Sequence, residues 1–232
     1  MLDFGRYEVL SFDCFGTLVD WETGIIDAVR QVLESYGFDL DDESILSLYA
    51  DFEREAQQGE YNDYRTVLRN VMKRIADSIG FTPLESDLTC LEETLSYWPV
   101  FPDSVEALES MKSQYKLAII SNVDDDLFAD TAQNLSVDLD YVISSQQARS
   151  YKPSIHNFIL AIDKIGVDAT KILHVAQSLF HDVTPAKSIG LSVVWTNRVS
   201  KGKLGSETQP SRITADLEVP DLATLVSLME LK

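Results

Sequence analysis

The sequence predicts an α/β protein with a Rossmann-like, mostly parallel sheet core and an inserted helical domain. Short apolar runs typical of buried strands alternate with segments in which apolar residues recur at helical spacing. A long stretch after the first strand-like run has helical periodicity only. Several of the strand-like runs end in Asp, Ser or Asn, and the carboxyl ends of parallel strands are where open α/β sheets bind ligands.

Composition narrows the class of protein. With 232 residues, 45% hydrophobic and 25% charged, the chain matches a globular protein, with length enough for one large domain with an inserted module or for two small domains. A formal net charge of -19 argues against nucleic acid as a partner, and an anionic substrate would need a local cluster of positive groups. The two cysteines, Cys14 and Cys90, do not indicate a structural disulfide. There is no apolar run of about 20 residues and no signal-peptide pattern, so we expect a cytoplasmic protein that does not bind a membrane.

The first strand-like run begins at Glu8 and delivers a carboxylate, Asp13, to its end. Gly16 and Thr17 then break the strand. This order predicts Asp13 at the carboxyl edge of the sheet. A carboxylate in that place can act as a nucleophile, a metal ligand or a general base, and the residues alone leave these three roles open.

Residues 21–98 carry helical patterns and no strand pattern. Gly37 and Gly80 suit the ends of two of these helices. Prolines at 99 and 102 then mark a return linker. We therefore predict a core domain of residues 1–20 and 99–232 and a helical domain of residues 21–98. Exposed apolar surface on the helical domain is compatible with a homodimer.

Four more strand-like runs follow, each separated from the next by a helical pattern. Most are followed by polar residues that are candidates for a site at the sheet edge. The runs cover residues 115–122, ending in Ser121 and Asn122; 141–145, followed by Lys152; 171–178, followed by Asp182; and 191–195, followed by a polar loop from Arg198 to Arg212. Asp124, Asp125 and Asp126 open the helix after the second run, and as acidic residues at its positive N-terminus they are expected to cap it.

The hexapeptide Asp13-Cys14-Phe15-Gly16-Thr17-Leu18 resembles the first motif of the haloacid dehalogenase superfamily, D-x-D/Y/F-G-T-L/V, in which the first Asp is the nucleophile. The resemblance implies that superfamily's fold, with a helical cap over the active site. Phosphatases of the superfamily have a second Asp two residues later to protonate the leaving group. Here that residue is Phe15, and type II 2-haloacid dehalogenases also have an aromatic residue there. A halide leaves as a stable anion and needs no proton.

The later motifs of the superfamily follow in order. Ser121 and Asn122 resemble the second motif, which binds the anionic group of the substrate. Lys152 resembles the lysine of the third, and a fixed ammonium near Asp13 is expected to lower its pKa. In the fourth motif, Gln177 replaces the first acid that phosphatases use for magnesium, and Asp182 is kept. The resemblance therefore implies neither a metal nor another cofactor.

These resemblances assign site residues to a dehalogenase-like reaction. Asp13 attacks the carbon that bears the halogen, and water hydrolyses the resulting aspartyl ester. Lys152 stabilises Asp13, and Asp182 orients Lys152 or activates water. Arg54 substitutes for the halide-binding Arg of type II enzymes, whose third-motif Tyr is replaced by Phe158, and His181 is a neighbour of the site. The predicted substrate-binding residues for a small anionic substrate are Cys14, Phe15, Thr17, Arg54, Ser121, Asn122 and Ser178.

Two other functions stay open at this point. The first is an atypical magnesium-dependent phosphatase with Asp13 as phosphoryl acceptor and a weak metal site at Asp13 and Asp182. The second is a binding protein that kept the fold while its chemistry decayed. Stimulation by magnesium would favour the first, and a complete lack of turnover would favour the second.

Overall fold

A computed structural model describes residues 2–198 and 214–231. Within these ranges, one sheet is formed by six strands: β1 (Val9–Phe12), β2 (Lys116–Ser121), β3 (Tyr141–Ser144), β4 (Ile172–Ala176), β5 (Ser192–Thr196) and β6 (Leu217–Val219). Their order is β3-β2-β1-β4-β5-β6, and every neighbouring pair is parallel. The predicted α/β class with a parallel sheet is confirmed.

The sequence analysis missed β6. It has three residues and pairs with β5 at the edge of the sheet. Such a short segment shows no measurable alternation, and Pro220 follows it directly. The predicted count of five strands was therefore one too low.

Helices lie in the connections between β1 and β5 and after β6. Those between β1 and β2 are α1 (Trp21–Ser35), α2 (Asp42–Ala56), α3 (Tyr64–Ile79), α4 (Glu85–Leu88), α5 (Cys90–Thr94) and α6 (Ser104–Lys112). The later ones are α7 (Asp125–Leu135), α8 (Ser145–Ala148), α9 (Ile155–Ile165), α10 (Thr184–Ser188) and α11 (Leu222–Leu228). The division into a core of residues 1–20 and 99–232 and a cap of residues 21–98 stays a prediction.

The register of the central strands brings the polar strand ends together. Phe12, the last residue of β1, pairs with Ile119 of β2 and with Val175 of β4. All four residues of β1 are buried, as expected for a parallel strand covered on both faces. Asp13, the next residue, therefore lies at the carboxyl edge of the sheet, between the ends of β2 and β4.

Asp124 connects the sheet to the helices that precede β2. Asp124 is the N-cap residue of α7 and Asp125 and Asp126 lie in its first turn, as predicted, but the Asp124 carboxylate makes no capping hydrogen bond within that helix. Asp124 Oδ1 accepts a hydrogen bond from the backbone N–H of Tyr64, and Oδ2 accepts one from Arg65, each at 3.0 Å. These N–H groups lie in the first turn of α3 and have no partner within that helix. The loop after β2 is thereby fixed to the start of α3.

Gly24 allows α1 to approach Trp98. A Cβ atom at position 24 would lie 2.2 Å from Trp98 Cγ, closer than packed atoms can come. In an open helix, Gly→Ala stabilises by up to about 1 kcal/mol, but overpacking costs about 1–3 kcal/mol. We therefore expect Gly24→Ala to lower the free energy of unfolding, by about 1–2 kcal/mol in urea denaturation. Gln31→Ala on the exposed side of α1 is the control, and equal stability of the two variants would contradict the packing argument.

The structure bears only in part on two sequence-based predictions, the location of the protein and the polar loop after β5. Across residues 2–198 and 214–231, no helix combines the length and apolar character that crossing a bilayer requires. The predicted cytoplasmic location and homodimer stay predictions.

The polar loop between Arg198 and Arg212 lies outside the described residues, apart from Arg198 itself. Arg198 donates to the Thr17 carbonyl at 2.8 Å and pairs with Asp103.

Candidate active site

Three buried charged side chains meet at the carboxyl edge of the sheet. Lys152 Nζ lies 2.8 Å from Asp13 Oδ1 and 2.7 Å from Asp182 Oδ1. It also donates to the carbonyl oxygen of Ile120 at 2.9 Å. An ammonium has three N–H donors, and these contacts use all three. The structure thus joins the three residues predicted to be catalytic by direct hydrogen bonds.

Two carboxylates share one ammonium, and their pKa values separate accordingly. Burial raises the pKa of Asp13, Asp182 adds to the rise, and Lys152 and Thr17 act against it. Burial also acts to raise the pKa of Asp182, but Lys152 and a hydrogen bond from His174 outweigh it and hold this pKa below its usual value. The expected lowering of the Asp13 pKa by Lys152 is therefore present but overcome by desolvation. Burial acts to lower the pKa of Lys152, yet the two carboxylates raise it, so the amine stays charged.

Thr17 holds the second oxygen of Asp13. Its hydroxyl donates to Asp13 Oδ2 at 2.8 Å and accepts from the backbone N–H of Gln177 at 2.9 Å. The hydroxyl is fully buried and engaged on both sides. Its contacts in the structure are thus with Asp13 and with the turn after β4.

We expect Thr17→Val to lower kcat/KM by about 10–100-fold, because a hydrogen bond to a charged group contributes about 1.5–3 kcal/mol. Thr17→Ser keeps the hydroxyl and is expected to retain most of the activity. Steady-state kinetics of both variants measure this, with melting temperature recorded beside them. Equal losses in Thr17→Ser and Thr17→Val would show that the methyl packing matters and the hydrogen bond does not.

The two residues at the end of β2 differ in what they contact. Asn122 Oδ1 accepts from the backbone N–H of Lys152 at 2.7 Å, and Asn122 Nδ2 donates to the Lys152 carbonyl at 3.2 Å. Asn122 therefore positions Lys152 through its backbone. Ser121 Oγ is buried and has no hydrogen-bond partner among the residues that the structure describes. Of this pair, Ser121 has the hydroxyl left for a ligand.

The fourth motif forms a π-helical turn, Leu179–Val183, directly after β4. Ser178 begins it, because its hydroxyl accepts from the backbone N–H of His181 at 3.0 Å and lies 3.2 Å from His181 Nδ1. Burial lowers the pKa of His181 to about 4, so its ring is neutral near pH 7. The turn places Asp182 against Lys152 and His181 beside it.

The remaining predicted contact residues lie around this centre. Cys14 is completely buried in the hydrophobic core, and burial raises the pKa of its thiol well above the usual value. A substrate contact from Cys14 would therefore involve its backbone. Phe15 packs edge-to-face on Trp98, with 5.7 Å between ring centroids. Arg54 is exposed on α2, bonded to Asp51 at 3.0 Å, and its charge is close enough to contribute to the lowered pKa of His181.

The sequence analysis did not single out His174. Its ring is completely buried, with Nε2 3.1 Å from Asp182 Oδ1 and Nδ1 3.0 Å from Ser11 Oγ. A lone histidine in an apolar run carries no motif. The available signal was the pairing of strands: Ser11 and His174 are register partners on β1 and β4, so two polar residues face the same side of adjacent strands.

The residues at this edge do not fit a magnesium site. Magnesium prefers octahedral oxygen ligands, among them one or two carboxylates with water or phosphate. The Lys152 ammonium lies between the two carboxylates, and Phe15 and Gln177 stand where phosphatases of the superfamily have acids. In the described part of the chain, no group of three or more His, Cys, Asp or Glu side chains is arranged to hold a metal ion.

Comparisons with known proteins agree with this geometry. The family model of haloacid dehalogenase-like hydrolases matches residues 7–190. Haloacetate dehalogenase H-2 of Moraxella sp. (strain B) is 26% identical over 97% of this chain and 98% of its own. The 5-amino-6-(5-phospho-D-ribitylamino)uracil phosphatase YigB of Escherichia coli (strain K12) is 26% identical over 97% of both chains.

A solved structure supports the fold over nearly the whole chain. The L-2-haloacid dehalogenase from Xanthobacter autotrophicus with chloropropionic acid covalently bound has a TM-score of 0.81 to this chain and is 24% identical, covering 97% of this chain and 98% of that one. The fold predicted from the four motifs is confirmed. Together with the family model, which matches well over half of the residues, this establishes that the chain belongs to the haloacid dehalogenase-like hydrolases.

Proposed function

We propose that this chain hydrolyses the carbon–halogen bond of small 2-halocarboxylic acids without a metal ion. The observation that carries the proposal is the Lys152 ammonium bonded to both Asp13 and Asp182. The charge of this ammonium offsets part of the negative charge of the two buried carboxylates. Phe15 supports it as well, since no acid stands there to protonate a leaving alkoxide and a halide needs no proton. The names of the haloacetate and L-2-haloacid dehalogenases that resemble the chain point to the same substrate class.

The reaction has two displacement steps at Asp13. In the first, a carboxylate oxygen of Asp13 attacks the carbon that bears the halogen, and the electron pair of the broken bond leaves with the halide. In the second, water attacks the carboxyl carbon of the ester and gives one proton to Asp182; the bond from that carbon to the ester oxygen then breaks, and the departing oxygen takes up that proton to become the product hydroxyl. The product is a 2-hydroxy acid, and Asp13 keeps one oxygen from water.

The residues around Asp13 suit these steps. Lys152 and Thr17 donate to its two oxygens, which supports a role in stabilising the negative charge of the tetrahedral intermediate. Asp182 Oδ2 is buried and accepts no hydrogen bond from the described residues, so it is the candidate base for the attacking water. The free Ser121 hydroxyl and the Arg54 guanidinium are candidates to bind the substrate carboxylate and the halide.

The decisive test is halide release from chloroacetate and from each enantiomer of 2-chloropropionate, with EDTA present. We expect release with inversion to the 2-hydroxy acid. A single turnover in ¹⁸O-water should place the label in Asp13 and leave the product unlabelled, as intact-mass measurement and peptide mapping would show. Label in the product after one turnover would refute the aspartyl ester.

The similarity to YigB favours phosphate-ester hydrolysis as a second candidate. In that reaction Asp13 would accept the phosphoryl group. The missing acids at Phe15 and Gln177 count against it. A panel of small phosphate esters, with and without magnesium, separates the two functions: magnesium-dependent phosphate release without halide release would replace the dehalogenase proposal.

A further inference from the structure

A second row of buried polar residues lies directly beneath the candidate active site. Ser11 of β1, His174 of β4 and Asp182 form a hydrogen-bonded chain, with Ser11 Oγ to His174 Nδ1 at 3.0 Å and His174 Nε2 to Asp182 Oδ1 at 3.1 Å. Ser11 and His174 have no exposed surface and Asp182 has almost none. Because Ser11 cannot reach a ligand, this chain is not a nucleophilic triad. The chain ends at Asp182, which belongs to the candidate active site, so any effect of Ser11 and His174 on the reaction passes through this carboxylate.

The two oxygens of Asp182 have different surroundings. Oδ1 accepts hydrogen bonds from both Lys152 Nζ, at 2.7 Å, and His174 Nε2, at 3.1 Å. Oδ2 accepts none from the described residues. The terminal torsion of an Asp side chain is soft, so a single contact to Lys152 would leave the carboxylate free to turn. Two donors fix its plane and leave the lone pairs of Oδ2 as the ones without a hydrogen-bond partner among the described residues.

The strands set the position of the ring. An ionised carboxylate only accepts hydrogen bonds, so the Nε2–H of His174 is the donor to Asp182. Nδ1 lies 3.0 Å from the Ser11 hydroxyl, and the β1–β4 register holds Ser11 directly beside His174. Phe158 packs edge-to-face on the imidazole, with 5.3 Å between centroids. The Nε2–H of His174 therefore faces Asp182.

We propose that His174 is a positioning residue for the ester-hydrolysis step, which holds Asp182 Oδ1 so that Oδ2 takes the proton of the attacking water. This inference rests on the proposed function. It assigns His174 no contact with substrate and no part in the attack of Asp13 on the substrate carbon. The two halves of the reaction should therefore respond differently to changes at position 174.

The charged groups around Asp182 determine the direction in which loss of the His174 donor should shift the pKa of Asp182. The titratable groups that face it are Lys152, Asp13, His174 and His181. Of these, Lys152 and His174 stabilise its ionised form. Loss of the His174 donor should therefore raise the pKa of Asp182, and the rising limb of the rate of ester hydrolysis should move to higher pH.

The test compares three changes in the same pocket. His174→Phe keeps a ring and removes the donor, His174→Gln keeps an N–H donor, and Phe158→Leu changes only the packing against position 174. We expect His174→Phe to slow ester hydrolysis about 10–100-fold with little effect on ester formation, so that the Asp13 ester accumulates and is seen by intact-mass measurement during turnover. His174→Gln should restore much of the hydrolysis, and Phe158→Leu should accumulate no ester.

The outcome that overturns the inference is an equal loss of both steps in His174→Phe and His174→Gln, with lower melting temperatures and an unmoved pH profile. That pattern would mean that His174 only packs the core. A measurement without substrate separates this from failure of the proposed function. In ¹³C NMR titration of Asp-labelled protein, with Asp182→Asn for assignment, the Asp182 pKa should rise in His174→Phe and return towards wild type in His174→Gln. If wild type releases no halide, an unmoved Asp182 pKa still refutes the positioning role, and a raised one supports it.

Discussion

Asp13→Asn is expected to lower the rate of halide release by about 10⁴-fold or more, the scale seen when a catalytic nucleophile is removed. The amide nitrogen and oxygen of Asn are poor nucleophiles, and no ester to Asp13 can form. The measurement is halide release by wild type and variant at saturating 2-chloropropionate, with intact mass to detect any adduct.

The same change should not weaken the fold. Asp13 and Asp182 share one ammonium, and burial already raises the pKa of Asp13. Neutralising position 13 leaves Lys152 and Asp182 as a balanced pair, so we expect a melting temperature equal to or above that of wild type. Asp168→Asn, which changes an exposed capping residue far along the chain, is the control for an Asp→Asn change and should keep full activity. Halide release by Asp13→Asn near the wild-type rate would show that another group is the nucleophile.

The parts of the site that could be predicted from the sequence are those that the sheet itself brings together. Asp13, Lys152 and Asp182 follow three different strands, and the carboxyl ends of parallel strands meet at one edge. The order of the motifs along the chain was therefore enough to expect these three side chains at one place. Their hydrogen bonds at 2.7–2.8 Å agree with that expectation.

The parts that could not be predicted depend on partners that no local pattern specifies. Asn122 was expected to face the substrate, but both polar atoms of its side chain bind the backbone of Lys152. Asp124 is the N-cap residue of the next helix, as expected, but its carboxylate binds the N–H groups that begin α3, about sixty positions earlier in the chain. Sequence patterns specify residue type and periodicity, whereas a side-chain partner distant in sequence is decided by how the elements pack.

The sign of the pKa shift at Asp13 shows the same limit. A lysine beside a carboxylate lowers its pKa, and this was the expectation from the third motif. The sequence does not reveal how deeply the pair is buried or that a second carboxylate shares the lysine. Both of these act to raise the pKa, and together they outweigh Lys152.

Lys152→Met should have the largest effect on stability. Removal of one partner from a buried ion pair typically costs about 3–5 kcal/mol, because the remaining charge has neither water nor a counterion. Here two buried carboxylates, Asp13 and Asp182, would be left facing each other. We expect the free energy of unfolding at pH 7 to fall by about this amount in urea denaturation, and halide release to be lost along with the positive charge beside Asp13.

The loss of stability should depend on pH, with a definite sign. Without Lys152 the pKa of at least one of the two carboxyls rises above that of the unfolded chain, about 3.9, so above pH 4 the folded variant binds a proton that the unfolded chain does not. Its stability therefore falls as pH rises through the raised pKa. In wild type the raised pKa of Asp13 acts in the same direction, whereas the lowered pKa of Asp182 has the opposite sign, since the stability that Asp182 contributes is present above the unfolded value and lost as pH falls. The two stability curves should approach each other at about pH 4–5 and separate towards pH 8.

A surface lysine provides the matched control. Lys73 is exposed on α3 and pairs with Asp77 at 2.7 Å, so Lys73→Met removes the same ammonium from a solvated ion pair. Such pairs contribute about 0–1 kcal/mol, and we expect a change of at most about 0.5 kcal/mol with little dependence on pH. A deficit in Lys152→Met that stays constant from pH 5 to pH 8 would mean that lost packing, and not uncompensated charge, causes it. A stability deficit that shrinks as the solution is acidified would establish that Lys152 compensates the charge of two buried carboxylates that water does not solvate.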